Sequence, residues 1–322
     1  SGLTSDDIAT LKTAQEAALT TAQIAALSLD QLGALTTQQV SILSSAQLNA
    51  LSIDQLNSLS TQDIVALTTG QIAALSNNLF GALTNDQLSS LTGQQIGALT
   101  TAQFAQLSPE QFGIFTVNQI QGMTPTQLAS LGATIGSFSI QQIGYLTTLQ
   151  LNGLTSGQIT ILSNDQVGAL SSAQLSGLST SVIGVLTTDQ FASINPNSLT
   201  GLSTSQVVAL STQDIGAITA DQFRSLTGQQ FGALRSSQFN ALSADAMSAI
   251  TTGQVQGMTA AQVSMLTTLQ LTSLSDAAFG GFTSTNIVGL TTAQEAVLSQ
   301  SEFNTLSTAA IANLTSTQVV AL

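Results

Sequence analysis

An apolar residue, most often leucine, returns every eight positions from Leu3 to Leu322, in words such as Leu-Thr-Thr-Ala-Gln-Ile-Ala-Ala at Leu19–Ala26. One small unit must therefore fold, stack and bury itself about forty times, which yields a surface and a shape rather than one pocket. The unbroken repeat overrides the two-domain expectation for 322 residues. The chain reads as a single continuous array, 1–322, and, because it begins and ends inside the pattern, as a fragment of a longer repeat protein.

Counting from the leucine, Ser or Thr holds the second position in 36 of 40 units and Gln the fifth in 28. A hydroxyl followed three residues later by Gln is a capping box: the hydroxyl accepts from the N3 amide while Gln reaches back to the cap's own N–H. The leucine then falls at N′ and the apolar sixth residue at N4, the spacing of a hydrophobic staple. The sixth residue and the next leucine are three apart, which one helical face accommodates. A β-solenoid, the alternative, would put them on opposite sides of a strand.

Three observations support this register. Pro109, Pro125 and Pro196 all fall at the third position, the first helical residue, where proline is best tolerated. Fourteen of the sixteen acidic residues sit at positions three to five, beside the positive end of the helix dipole; only Glu16 and Glu295, both at the sixth, depart. Glycine clusters at the seventh and eighth positions, where a helix must end through a positive φ or where backbones approach closely. One long helix is excluded, because an eight-residue stripe drifts about 80° per octad around its axis.

The expected fold is therefore all-α: a superhelical solenoid of about forty helices, each at most about two turns long and one per octad. Exceptions such as Leu29 and Ile53, or Gly153, Gly177 and Gly201, recur at 24 residues and point to three octads per coil turn, with two as the alternative. The register slips once, between Leu131 and Phe138, where the cap position is Gly132; a kink or bulge is expected there. TGQQIGALTTAQF from Thr92 recurs as TGQQFGALRSSQF from Thr227, a block duplication. The residues singled out as caps are Thr20 with Gln23, Thr68 with Gln71, Thr100 with Gln103 and Thr291 with Gln294. Those singled out as core are Leu19, Ile24, Leu27, Leu67, Ile72, Leu99 and Phe104.

Composition narrows function. Three basic residues against sixteen acidic ones leave almost nothing to release counterions from phosphate, so nucleic acid is not an expected partner. No apolar run reaches the roughly 20 residues of a membrane span. Without Cys or His, and with a solitary lysine, no ordinary nucleophile and base can be assembled, and the many hydroxyls are accounted for by capping. No enzymatic activity, cofactor or metal is expected. An ice-binding face of aligned Thr is disfavoured because the second-position hydroxyl is engaged and the third position varies.

The pattern Leu-Thr-Thr-x-Gln-apolar at Leu19, Leu67, Leu99 and Leu290 resembles octapeptide-repeat regions of large, repetitive bacterial surface or secreted proteins, over the whole chain. That resemblance, together with a chain of which only 6% of residues are charged, implies an extracellular or cell-surface structural protein: a self-associating building block of a filament, sheath or surface layer. An adhesin stalk, or a repeat surface that grips carbohydrate or ice, is the alternative, with surface glycans as further partners.

Overall fold

Each octad begins with its own cap. In the computed structural model, which describes residues 2–321, Thr20 to Ala26 shows the repeating event. Thr20 is extended (φ −74°, ψ 160°), its Oγ1 accepts from the Gln23 N–H at 3.3 Å, and Gln23 Oε1 accepts the Thr20 N–H at 2.9 Å. The helix Thr21–Ala25 follows and stops because the next leucine turns away: the Leu27 N–H donates to the Ile24 carbonyl, three residues back, closing a tight final turn. Among the described residues the α-helices are four to six residues long and there are no strands, so the molecule is all-α.

Such short helices are unstable alone and are held by packing. Within residues 2–158, and separately within 159–321, helices pack against the helix three places along. Thr37–Ile42 lies on Thr61–Ala66 and Gly93–Ala98 on Val117–Gly122; further along, Asn164–Gly168 lies on Thr188–Ser193 and Gly228–Gly232 on Thr252–Gly257. The result is a solenoid with three octads per turn. The internal contacts group into two compact units, one ending at Gln158 and the other beginning at Ile159.

The sixth residue of most octads fills the centre of the coil, though Ile311 and Val319 in the last octads are exposed, and the leucine seals the corner between successive helices. Ile24, Ile72 and Phe104 are 0–1% exposed, and Leu27, Leu67 and Leu99 are 3–7%. Leu19, in the first turn, is only half-buried. Where three successive sixth positions are Phe223, Phe231 and Phe239, their rings meet at centroid distances of 5.4 and 5.6 Å.

The glycines correct one expectation. Among the described residues the only positive φ is at Gly132 (53°), so the octad helices do not end through left-handed glycine. Glycine instead permits backbone contact between turns: a Cβ on Gly122 would overlap the Gly93 backbone, and one on Gly257 the Gly228 backbone. Both pairs belong to the duplicated block. At the register slip the chain forms a 3₁₀ helix, Gly132–Ser137, which packs on Pro109–Gly113 in the place of a regular octad helix.

Candidate functional site

The most regular polar feature is the fifth-position glutamine, whose side chain is used at both ends. At Gln103 the Oε1 accepts the Thr100 N–H at 2.9 Å, while Nε2 donates to the carbonyls of Ile72 (2.9 Å) and Leu75 (3.0 Å), 31 and 28 residues earlier. Thr100 Oγ1 in turn accepts from the Gln103 N–H. Gln71, which caps with Thr68, donates to Leu43 O at 2.7 Å and Ser41 O at 3.1 Å. Gln294, which caps with Thr291, donates to Val263 O at 2.9 Å and Leu266 O at 2.7 Å. The acceptors are carbonyls freed where a helix of the previous turn ends, so one amide satisfies orphan groups at two helix termini.

This clip follows the chain through the slip. Gln142 reaches Phe112 O and Gln150 reaches Ile120 O, each 30 residues back rather than 31, and the 31- and 28-residue spans return at Gln190. Asn286 substitutes with its shorter amide, donating to Val255 O at 2.8 Å. Asp63 keeps only the cap half, accepting from Ser60, whereas Asp214 accepts from Ser211 and also from Thr188 Oγ1, 26 residues earlier, at 3.2 Å. Gln23 and Gln15 hold their caps in the first turn, where the described residues offer no earlier turn to receive Nε2. Gln111 also caps without a clip to the turn before.

The clip is not evident from one octad, because a capping box accepts Glu as readily as Gln. A signal was nevertheless present: the fifth position holds 28 Gln and a single Glu, Glu302. Only the amide carries a donor, so that bias marks the second bond.

Two carboxylates stand where every other octad outside the slip has an apolar residue. Glu16 is 0% exposed and Glu295 3%, and all four carboxylate oxygens lack hydrogen-bond geometry to a partner. Burial pushes the Glu16 carboxyl up to about 7. It also raises that of Glu295, where the Gln318 side chain pulls the other way. Exposed acids behave oppositely: Thr4 holds Asp7 below its ordinary value, and hydrogen bonds from Ser108 and its own backbone do so for Glu110.

Elsewhere the exterior is Thr, Ser, Gln and small residues, with one exposed ion pair, Arg224 to Asp221 at 2.7 Å, and isolated apolar side chains such as Leu149 and Leu269. A cleft of about 330 Å³ in the first turn is lined by Leu3, Ile8, Leu19, Ala22, Gln23, Ala26 and Leu27. Among the described residues no group of three or more carboxylates is placed to hold a metal ion, and no helix is long and apolar enough to cross a membrane.

Short capped helices, a central apolar column and a glutamine clip between turns define a solenoid repeat protein. The family model of the ALTTAQ repeat matches residues 1–37, 40–77 and 162–196, and these segments are similar to ALTTAQ repeats. The six letters occur verbatim at Ala18–Gln23 and Ala98–Gln103. No curated protein matches the chain.

Proposed function

We propose that the protein is a non-catalytic structural element, an extracellular building block of a bacterial filament, sheath or surface layer. The observation that carries this reading is that the recurrent polar side chains of the octad are engaged by the fold itself. The hydroxyl caps, the amide clips, and the apolar pair fills the core, which leaves an exterior with little charge and no convergent reactive groups. Sparse charge lowers the repulsion that keeps most proteins apart and favours association of like surfaces. A second copy of the chain is the partner this favours.

Electron microscopy of the purified protein over a range of concentrations tests the reading. Ordered filaments or sheets that grow with concentration support it. Dispersed particles at the highest concentration, together with specific retention on glycan arrays or thermal hysteresis, would replace it with a binding role. Antibody labelling of intact cells checks the assigned location.

A further inference from the structure

Glu16 and Glu295 occur in the same word, Thr-Ala-Gln-Glu-Ala, at Thr13–Ala17 and Thr292–Ala296. At Thr13–Ala17 half of the capping box forms, Gln15 Oε1 accepting the Lys12 N–H at 2.9 Å while lysine offers no acceptor, and at Thr292–Glu295 both halves form, Gln294 Oε1 accepting the Thr291 N–H at 2.7 Å. The helix therefore forms and directs a carboxyl group into the column that neighbouring octads fill with Ile8 and Ile24, or with Ile287 and the half-buried Phe303. A neutral carboxyl is tolerated in such a place, whereas an ionised one without a partner is strongly disfavoured.

We propose that Glu16 and Glu295 make the seating of the helices that carry them pH-dependent, closed onto the core when the carboxyl is protonated and loosened when it ionises. The surroundings supply no compensating charge. The helix Thr13–Ala17 packs on Thr37–Ile42, which has no ionisable residue, and its sequence neighbour Thr21–Ala25 has none. Its other neighbour, Ser5–Ala9, carries Asp6 and Asp7, and its own cap is Lys12; all three are exposed. The helix Thr292–Glu295 packs on Thr268–Thr272 and Ser316–Ala321, neither of them charged. The adjacent helix Gln300–Thr305 carries only Glu302, which is engaged by the Ser299 N–H.

Loosening has a defined path. The Glu16 carbonyl accepts the Leu19 N–H and the Glu295 carbonyl the Leu298 N–H, the bonds that close each helix. Just before these helices, Leu11 O receives Gln39 Nε2 at 3.2 Å and Leu290 O receives Gln318 Nε2 at 2.8 Å, so movement of either helix strains a clip from the following turn.

Hydrogen exchange of the full chain read by mass spectrometry between pH 4 and 8, corrected for intrinsic rates, tests this. Peptides spanning residues 12–19 should lose protection on the order of 100-fold as pH rises, those spanning 291–298 should change in the same direction, and peptides from intervening turns should not. Glu16→Gln and Glu295→Gln should each flatten the response in their own peptide, while Glu110→Gln leaves both unchanged. Glu16→Ile, which restores the residue type found at Ile8 and Ile24, should give high protection at every pH. Wild-type protection that does not vary with pH, or a response that persists in the Gln and Ile variants, would overturn the proposal.

Discussion

The first turn, built on Ser5–Ala9, Thr13–Ala17 and Thr21–Ala25, and the turns around Gly93–Ala98 and Val117–Gly122 use the same word to different effect. In both, the second and fifth positions close capping boxes with similar distances: Thr20 N–H to Gln23 is 2.9 Å, and Thr116 N–H to Gln119 is 2.9 Å. In the first turn Gln15 and Gln23 are exposed and only cap, and the central column is Ile8, Glu16 and Ile24. In the internal turn Gln119 is 0% exposed and donates to the carbonyls of Leu88, Ser89 and Leu91, while the column holds Ile96, Phe104, Phe112 and Ile120. Capping is thus a property of one octad, whereas clipping and core filling exist only when another turn is in place. Helix formation and helix retention are written by the same residues but obtained at different ranges along the chain.

Truncation of the internal column should have the largest effect. Phe112 touches the rings of Phe104, Phe115 and Phe138 at centroid distances of 5.6–5.9 Å, and Phe112→Ala should cost about 3–5 kcal/mol in urea unfolding. A loss below about 1 kcal/mol would mean that the column does not hold the turns together. The clip comes next. Gln119→Glu keeps the acceptor that caps Thr116 but removes the donor and buries a carboxylate among three carbonyls, so it should cost about 2–4 kcal/mol. The same change at exposed Gln23 should stay within about 0.5 kcal/mol. Equal effects at the two sites would erase the distinction drawn above.

The first turn supplies a sign test. With the Glu16 carboxyl raised from 4.5 to about 7, the folded state holds its proton more tightly than the unfolded chain. Its contribution to stability is complete below pH 4.5, falls as pH rises towards 7 and is then constant. Glu16→Ile should therefore stabilise the turn more at pH 8 than at pH 4, by on the order of 2–3 kcal/mol, read from amide protection. The most uniform effect is expected at the caps: Thr20→Ala and Thr100→Ala each remove one cap oxygen and should each cost about 1 kcal/mol of helix stability wherever they lie. A marked inequality between them would show that capping is not local.

Much of this was legible in the chain because it is short-range. The capping box, the staple, the proline position and the apolar pair all fall within eight residues, and Leu29 with Ile53 gave the three-octad turn. The second bond of the glutamines was not, since its acceptors lie 28 and 31 residues away and become identifiable only when the turn is closed. The role of glycine stood between a positive φ and a close approach for a related reason: the Gly122–Gly93 contact is a property of two stacked helices, and nothing within one octad distinguishes it from a helix stop. Glu16 and Glu295 stood out at once as acids in an apolar column, but burial alone separates a solvated exception from a desolvated one.

The tolerated seven-residue step at Gly132 has a bearing on how such a chain can vary. Gly132 supplies the one left-handed backbone among the described residues, at the point where the chain absorbs a missing residue, and the next glutamines find carbonyls one position nearer. Without such a device, insertions and deletions are acceptable only in whole words. Adding or dropping one word preserves the interior but moves every later exterior residue to an adjacent side of the triangle, so recombination among repeats redraws the outer pattern while leaving the inside unaltered.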